Sequence, residues 1–181
     1  LYLHKMNNIL YFDIETNGLT DFSRLSDVEC IHSLVIIDGD DNVYKYRQSN
    51  IKEALYLLEK AYAIVGHNSI GFDYPVLNKL YGFKHGRVYD TLTMARCIYP
   101  DLFQASFANQ PDDIKSHSLK AWGQRLGVHK DSHGETEDWS QWSPELEAYC
   151  VQDVVVTKKL YEFLMKREPS QQMLDLEHRF A

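Results

Sequence analysis

Two acidic side chains stand one residue apart in an apolar stretch near the start of the chain, YFDIETNGLT at residues 11–20. Because side chains alternate across a strand, Asp13 and Glu15 point to one face and Ile14 points to the other. Two carboxylates on one face repel each other, so such a pair belongs either to a solvated edge or to a site that binds cations. Taken alone, the pair favours the solvated edge.

A third acid heads an apolar helical stripe in GHNSIGFDYPVLNKL, residues 66–80. Asp73 has the spacing of one helical face with Val76, Leu77 and Leu80. Pro75 is compatible with a first helical turn, so Asp73 has two interpretations. It either caps this helix or belongs to a functional site.

A fourth acid, Asp153, lies in the middle of an apolar stripe in LEAYCVQDVVVTKKL, residues 146–160. The other members of the stripe are Leu146, Tyr149, Cys150, Thr157 and Leu160. A carboxylate there is costly without a partner, and neither position one turn earlier is Lys or Arg. We therefore expect the partner of Asp153 to come from elsewhere in the fold or to be a metal ion.

One chemistry accounts for all of these acids. Hard oxygen ligands suit Mg²⁺ or Mn²⁺, and two such ions about 4 Å apart can flank a phosphodiester, activate water and stabilise the leaving oxygen. Tyr149 is one helical turn from Asp153, where its hydroxyl would orient the attacking water. The alternative for Tyr149 is an aromatic side chain of the core.

The elements that must position these acids follow from periodicity and turn signals. Strands are predicted around residues 9–16, 28–37, 43–46 and 63–65, with a hairpin turn at 38–42. Helices are predicted from residue 51, over about 72–81, over 91–98, from a cap at Ser116 or Ser118 to Gly127, over about 144–166, and from 169–170 onward. Strands first, then a strand between helices, predict an α/β fold with a mixed sheet flanked by helices.

The bulk composition fits a single globular domain and excludes several classes of protein. The chain has 181 residues, 44% hydrophobic and 25% charged, with a net charge of -7. That charge is a poor match to a sequence-neutral duplex binder, and no apolar run reaches the roughly 18–20 residues that span a bilayer. Three widely spaced cysteines (Cys30, Cys97 and Cys150) indicate a reducing cytosol rather than a disulfide framework.

The three acid-bearing segments, in this order, resemble the motifs of the DEDD superfamily of 3′-to-5′ exonucleases, which have an RNase H-like fold. FDIET is similar to the first motif, HNSIGFDYPVL to the second, and YCVQD to the third in its tyrosine form. The histidine form would place His where this chain has Ala148. SHSLKAWGQRLG, YDTLTMARCIYPDL and YCVQDVVVTKKLYEFL further resemble the proofreading domain of family A DNA polymerases from T-odd bacteriophages.

The resemblance implies a role for each matching residue. Asp13, Glu15 and Asp153 would hold the metal that binds the attacking water, Asp13 would bridge to a second metal, and Asp73 would reach that ion directly or through water. Tyr149 would orient the nucleophile. The residues implied to contact the strand are Thr16, Asn17, Gly18, Leu19, Asn68 and Phe72.

The resemblance also implies a domain plan and partners. Residues 1–5 are expected to precede the natural start, 6–168 to form the exonuclease domain, and 169–181 to begin a helix toward a polymerase domain of the same parent chain. The expected substrate is a single-stranded DNA 3′ end, the cofactors are two Mg²⁺ or Mn²⁺ ions, and the domain is expected to be monomeric in the host cytoplasm. The alternatives are an RNA-trimming exonuclease of the same superfamily, and a catalytically silent domain that only binds single strands or docks a partner.

Some features have simpler interpretations. Trp122 has the spacing of a core residue with Leu119 and Leu126. Trp139 and Trp142 are expected to anchor the polar loop 130–142 rather than to stack on bases. His129 and His133 lack the second pair of ligands that a zinc site needs.

Overall fold

Five strands form one mixed sheet. They are β1 (Ile9–Thr16), β2 (Ile31–Ile37), β3 (Val43–Arg47), β4 (Ala63–Gly66) and β5 (Val88–Asp90). Their order across the sheet is β3-β2-β1-β4-β5, with antiparallel pairs β1–β2 and β2–β3 and parallel pairs β1–β4 and β4–β5. The structure is a computed structural model that describes residues 8–17, 25–101, 116–128, 141–172 and 174–175. The predicted α/β class and mixed sheet are confirmed.

Helices cover both faces of this sheet. They are α1 (Ile51–Lys60), α2 (Asp73–Tyr81), α3 (Thr91–Ile98), α4 (Leu119–Arg125) and α5 (Pro144–Met165), with a short 3-10 helix at Leu25–Asp27. Residues of α1 and α2 share one core cluster, whereas residues of α3, α4 and α5 share the cluster on the opposite face. Residues 171, 172, 174 and 175 are helical, as the signal at 169–170 predicts.

β1 is the central strand, and its side chains alternate between the two cores. Ile9 and Tyr11 lie in the cluster that contains α5, whereas Phe12 and Ile14 lie in the cluster that contains α1 and α2. Asp13 continues the odd-numbered series, because successive side chains of a strand point to opposite faces. The alternation therefore delivers the acids of β1 to the face that α5 covers.

α5 runs across that face and begins at the residue that the sequence indicates. Ser143 is its N-cap, and the Ser143 hydroxyl oxygen accepts a hydrogen bond from the Leu146 amide at 3.0 Å. Pro144 occupies the first turn, where a missing N–H costs nothing. Cys150 and Val154, both fully buried, pack it against the sheet. The apolar stripe of α5 is thus a core-facing stripe, and Asp153 lies on it.

The connection from β4 to α2 is a tight turn that Gly66 makes possible. A Cβ atom at Gly66 would lie 2.5 Å from the Cβ atom of Ser69, which is closer than real Cβ contacts come. At its other end α2 stops at Gly82, whose φ of 66° is the left-handed conformation that glycine adopts readily. These two glycines fix where α2 begins and ends relative to the sheet.

Two strand predictions differ from the structure. The apolar stretch 28–37 is strand only from Ile31, because the residues before it form a turn that Lys79 holds. The Lys79 ammonium donates to the carbonyl oxygens of Leu25, Ser26 and Val28, each at 2.8 Å. β5 was not predicted, because three residues are too few to show an alternating pattern.

Several predictions fall on residues that lie outside the described part of the chain. These are the boundary at residues 1–5, the loop 103–115, residues 130–140 of the second loop, and the side chains His129, His133 and Trp139. Within the described ranges, no helix has the length and apolar character needed to cross a bilayer. Trp122 is fully buried, so its predicted core position is confirmed.

Candidate functional site

The site begins at the C-terminal half of β1. Glu15 is 9% exposed and pairs across the sheet with Ser33 of β2, whereas Asp13 is partly buried and pairs with Val35. Both acids are therefore placed at a sheet surface that a helix largely covers. The interpretation of the pair as a solvated strand edge is wrong, because β1 is the central strand and Glu15 is buried.

Asp73 joins α2 to β1. It is the first residue of α2, 4% exposed, and its Oδ1 accepts a hydrogen bond from the Ile14 amide at 3.2 Å. The pairing of β1 with β4 ends at Tyr11 with Val65, so Asp73 supplies an acceptor beyond the end of that ladder. The N-cap position belongs to Phe72, so the interpretation of Asp73 as a simple helix cap is wrong.

α5 contributes the fourth acid and the predicted tyrosine. Asp153 is 9% exposed, and Tyr149 lies one turn before it with a half-buried side chain. A half-buried ring does not have the position of a core aromatic. The structure therefore leaves part of the Tyr149 side chain accessible beside the acid that it was predicted to accompany.

Cys150 lies in the same cluster, a contact that the sequence does not predict. Its sulfur is 3.5 Å from both the backbone oxygen and Oδ2 of Asp13. Among the described residues, ligand atoms of Asp13, Glu15 and Cys150 all come within 4.8 Å of one another. The available signal was position, because Cys150 precedes Asp153 by three residues on one stripe, which makes the two neighbours on the helix.

The acids act on one another electrostatically. Burial raises the pKa of the Asp13 carboxyl well above its usual range, and three neighbouring charges act in the same direction, those of Asp73, Glu15 and Asp153. Burial also raises the pKa of Asp73 to about 7, with Asp90 and Asp153 adding to the effect and the Ile14 amide opposing it. The four predicted acids thus form one electrostatic unit around the end of β1.

A further buried acid, Asp90, holds the loop between β4 and α2 in place. Its Oδ1 accepts from the Asn68 amide at 2.9 Å and its Oδ2 from the Ile70 amide at 3.0 Å. The same carboxylate caps α3 through the Leu92 amide at 2.9 Å. An acid just before the helical pattern at 91–98 is an N-cap signal. The sequence could therefore have indicated the cap, but not the contact with the loop.

The residues predicted to contact a strand surround this cluster. Thr16 ends β1 and is 5% exposed, and Asn17 follows it. The Asn17 side-chain oxygen accepts from the amides of Glu29 and Cys30, each at 2.9 Å, so it also fixes the backbone beside the acids.

Two more of these residues lie on the loop before α2. Asn68 has a positive φ of 57°, and Phe72 packs partly against the core cluster of α1 and α2. Gly18 and Leu19 lie outside the described residues.

The donor set fits hard divalent cations. Carboxylate oxygens are the ligands that Mg²⁺ and Mn²⁺ prefer, and the charges that act on Asp13 are those of other acids. Acids whose ionisation is opposed by burial and by like charge gain the most from a cation between them. This arrangement can therefore bind cations that position and polarise a phosphate group.

Divalent cations are expected to stabilise the folded chain. At about 100 times the dissociation constant, a ligand that binds only the folded state adds about 2.7 kcal/mol. For a domain of this size, that corresponds to a rise in Tm of roughly 5–11 °C. The measurement is a thermal melt with added Mg²⁺ or Mn²⁺, followed by EDTA, which should return the Tm to its starting value.

A control separates this site from weak surface binding. The control variant is Glu53→Gln, which removes an exposed acid from the first turn of α1, on the other face of the sheet. It should show the full rise in Tm with added cations. Asp13→Asn should reduce the rise in Tm and should not lower the Tm in EDTA, because it replaces a carboxyl whose ionisation is opposed by burial and by neighbouring acids. An Asp13→Asn chain that responds to cations like the unchanged chain would contradict the assignment.

The chain is similar in sequence to the RNase H superfamily and to phage DNA polymerases. The sequence profile of the RNase H superfamily matches residues 10–165. The DNA-directed DNA polymerase of Escherichia phage T7 is 33% identical over 187 residues, which cover 84% of this chain and 26% of that polymerase. The chain thus spans about a quarter of the length of this relative. The predicted resemblance to T-odd phage polymerases is confirmed.

Solved structures show the same fold. Brucella melitensis NrnC has a TM-score of 0.68 at 19% identity, covering 97% of this chain and 82% of that one. Escherichia coli RNase D, described as an exoribonuclease involved in structured RNA processing, has a TM-score of 0.60 at 15% identity, covering 98% of this chain and 46% of that one. The predicted RNase H-like fold is confirmed.

Proposed function

The chain belongs to the RNase H superfamily, and on that premise we propose that it is a metal-dependent 3′-to-5′ exonuclease acting on single-stranded or frayed DNA. The reaction is hydrolysis of the terminal phosphodiester with release of a nucleoside monophosphate. The observation that carries the proposal is the convergence of Asp13, Glu15, Asp73 and Asp153 from β1, α2 and α5 at one end of the central strand.

The position of each residue assigns it a role in the proposed reaction. Asp13, Glu15 and Asp153 would hold one divalent cation, and Asp13 and Asp73 would hold a second. When bound, the cations neutralise the developing charge on the phosphate and lower the pKa of water. Tyr149, half-buried beside Asp153, orients the attacking water through its hydroxyl. Because these side chains are fixed by β1 and by the core-facing stripe of α5, little reorganisation is needed when substrate binds.

A single strand suits this chain better than a duplex. The net charge of -7 disfavours a broad phosphate-binding surface, whereas a single strand can be held by base stacking and a few polar contacts. A paired end must first unstack, which costs a few kcal/mol, and a mismatched end costs less. Frayed or mismatched ends are therefore the preferred substrates.

The similarity to the phage T7 DNA polymerase supports a proofreading role. In this proposal residues 6–168 are the exonuclease domain, and residues 169–181 lead toward a polymerase domain of the same parent chain. The partner is then that polymerase domain, which delivers the 3′ end of newly made DNA. The exonuclease domain itself acts as a monomer.

The second candidate is an RNA-trimming exonuclease, and the fold shared with RNase D is the observation that favours it. DNA and RNA ends differ at the 2′-hydroxyl, so the residues around the last sugar decide between them. The identity to a DNA polymerase is higher than the identity to RNase D, which is why DNA is the first choice.

A 5′-labelled single-stranded DNA incubated with the chain and Mg²⁺ is expected to give a ladder of shortening products. The ladder should disappear with EDTA and return with added Mn²⁺, because the carboxylates require a cation to hold the phosphate. The measurement is a denaturing gel over time, with an RNA oligonucleotide of the same sequence run in parallel.

The outcomes separate the candidates. Faster loss of the RNA than of the DNA would replace the DNA proposal with the RNA one. Shortening of neither oligonucleotide would contradict the exonuclease proposal and leave a strand-binding or docking domain.

A further inference from the structure

A pocket of about 400 Å³ opens beside β3, away from the acids. It is lined by His32, Arg47, Gln48, Ser49 and Trp142. Its size is in the range of sites that hold small organic ligands. The proposed reaction assigns no role to any of these residues.

The pocket combines positive charge with an aromatic surface. The Arg47 guanidinium lies 3.7 Å from the centre of the Trp142 ring. Arg47 and Lys45 share one carboxylate, Glu147, at 3.1 and 3.6 Å, so two cations face one anion. About half of each cationic side chain is exposed, whereas that of Glu147 is 10% exposed. In a chain of net charge -7, the excess of one positive charge beside an aromatic ring makes this place locally suited to an anionic group and a planar ring.

The wall of the pocket also has hydrogen-bonding capacity that is not used. His32 is 8% exposed, and its Nε2 has no hydrogen-bond partner among the described residues. Its other ring nitrogen is 4.0 Å from the sulfur of Cys30. Buried polar atoms usually find a partner, so an unmatched nitrogen in a pocket wall points to a ligand.

The sheet register relates this pocket to the acids. Glu15 of β1 pairs with Ser33 of β2, and Ser33 pairs with Arg47 of β3. Two strand spacings of about 4.8 Å put the backbones of Glu15 and Arg47 roughly 10 Å apart. Cross-strand partners point to the same face, so Arg47 lies on the side that α5 covers, as its contact with Glu147 of α5 confirms.

We propose that this pocket is a second nucleotide subsite, which holds a nucleotide upstream of the 3′ end with its phosphate against Arg47, at the side where Lys45 shares Glu147, and its base against Trp142, in place of the loop-anchoring role that the sequence favours for Trp142. The proposal rests on the proposed exonuclease function. A backbone separation of about 10 Å is larger than the 3.4 Å axial rise per nucleotide of a stacked strand, which places the subsite beyond the terminal nucleotide. The subsite therefore contributes to binding of longer strands and has no contact with a dinucleotide.

The test compares a DNA hexanucleotide with a dinucleotide on the Arg47→Gln chain. The KM for the hexanucleotide should rise about tenfold, because a charge-assisted contact to phosphate is lost, whereas kcat should stay unchanged. Both parameters for the dinucleotide should stay unchanged. Lys52→Gln, which removes an exposed cation from α1, is the matched control. It should leave KM and kcat unchanged for both oligonucleotides.

A second variant should change the affinity for the hexanucleotide in the opposite direction. Glu147→Gln removes the anion that faces both cations while keeping a side-chain oxygen for Arg47, so binding of the hexanucleotide should tighten. Fluorescence anisotropy of a labelled hexanucleotide in EDTA measures this binding without hydrolysis. If Arg47→Gln lowers the Tm, Lys45→Gln replaces it in the binding test. Lys45 makes the longer contact with Glu147, so its loss should disturb the fold less.

The two readouts keep the subsite and the proposed function apart. A hexanucleotide KM and affinity that are the same in Arg47→Gln, Lys45→Gln and the unchanged chain would overturn the subsite, even if hydrolysis is normal. Absence of hydrolysis in every chain would overturn the exonuclease function, and the affinities in EDTA would still decide on the subsite.

Discussion

Replacing both Asp13 and Glu15 with alanine is expected to lower the rate of the proposed DNA hydrolysis by about 10³-fold or more. Each tenfold loss of rate corresponds to 1.36 kcal/mol, and cations bound to carboxylates supply several kcal/mol of charge stabilisation. Both acids lie on the covered face of the central strand, so no nearby acid can take their place without moving β1. The measurement is the initial rate of product formation from a 5′-labelled single strand at saturating Mg²⁺.

A loss of hydrolysis rate through missing acids must be distinguished from a loss of rate through unfolding. The double variant removes two acids from a cluster in which burial and like charge oppose ionisation, so its Tm in EDTA should not fall below that of the unchanged chain. A matched double variant, Glu53→Ala with Glu59→Ala, removes two exposed acids from α1 and should retain full activity. Retention of more than about a tenth of the rate by the first variant would remove these acids from the site, since metal ligands contribute far more than that.

Replacing Trp122 with alanine is expected to destabilise the domain by about 3–5 kcal/mol. Trp122 is fully buried in α4, and its ring centre lies 5.8 Å from that of Tyr99 and 5.9 Å from that of Phe163 in α5. The substitution leaves a cavity between α3, α4 and α5 that rigid helices cannot fill. The Tm should fall by roughly 6–20 °C, and urea unfolding should give the free-energy difference.

A surface aromatic gives the comparison. Tyr56 on α1 is 60% exposed, and Tyr56→Ala should change the free energy of unfolding by less than about 1 kcal/mol. Trp122→Phe keeps an aromatic ring, so its loss of free energy of unfolding should lie between those of Trp122→Ala and Tyr56→Ala. A Trp122→Ala chain as stable as Tyr56→Ala would mean that α4 contributes nothing to holding α5 on the sheet.

The sequence predicted those parts of the site that depend on local periodicity. The period of two places Asp13 and Glu15 on one face of β1, and the helical period places Asp153 on the core-facing stripe of α5. Ser143 and Pro144 indicate where that helix begins, because caps are set by neighbouring residues. Each of these predictions needs only a few consecutive residues, and each agrees with the structure.

The parts that were missed depend on contacts between distant segments. β5 has three residues and is recognisable as a strand only by its pairing with β4. Asp90 braces the loop before α2 across a separation of 22 residues, and the sulfur of Cys150 reaches Asp13 across 137. The hydrogen bond from Ile14 to Asp73 likewise depends on where β4 ends. No local pattern encodes such contacts.

The same separation between Asp13 and Cys150 has a consequence for how the protein is made. Loop closure over 137 residues is slow compared with helix formation, so we expect α5 to dock onto β1 late in folding. On a ribosome, β1 and α2 emerge long before the helix that carries Asp153. A nascent chain therefore holds an incomplete set of acids until its synthesis reaches α5, and on the proposed function it hydrolyses no nucleic acid before then.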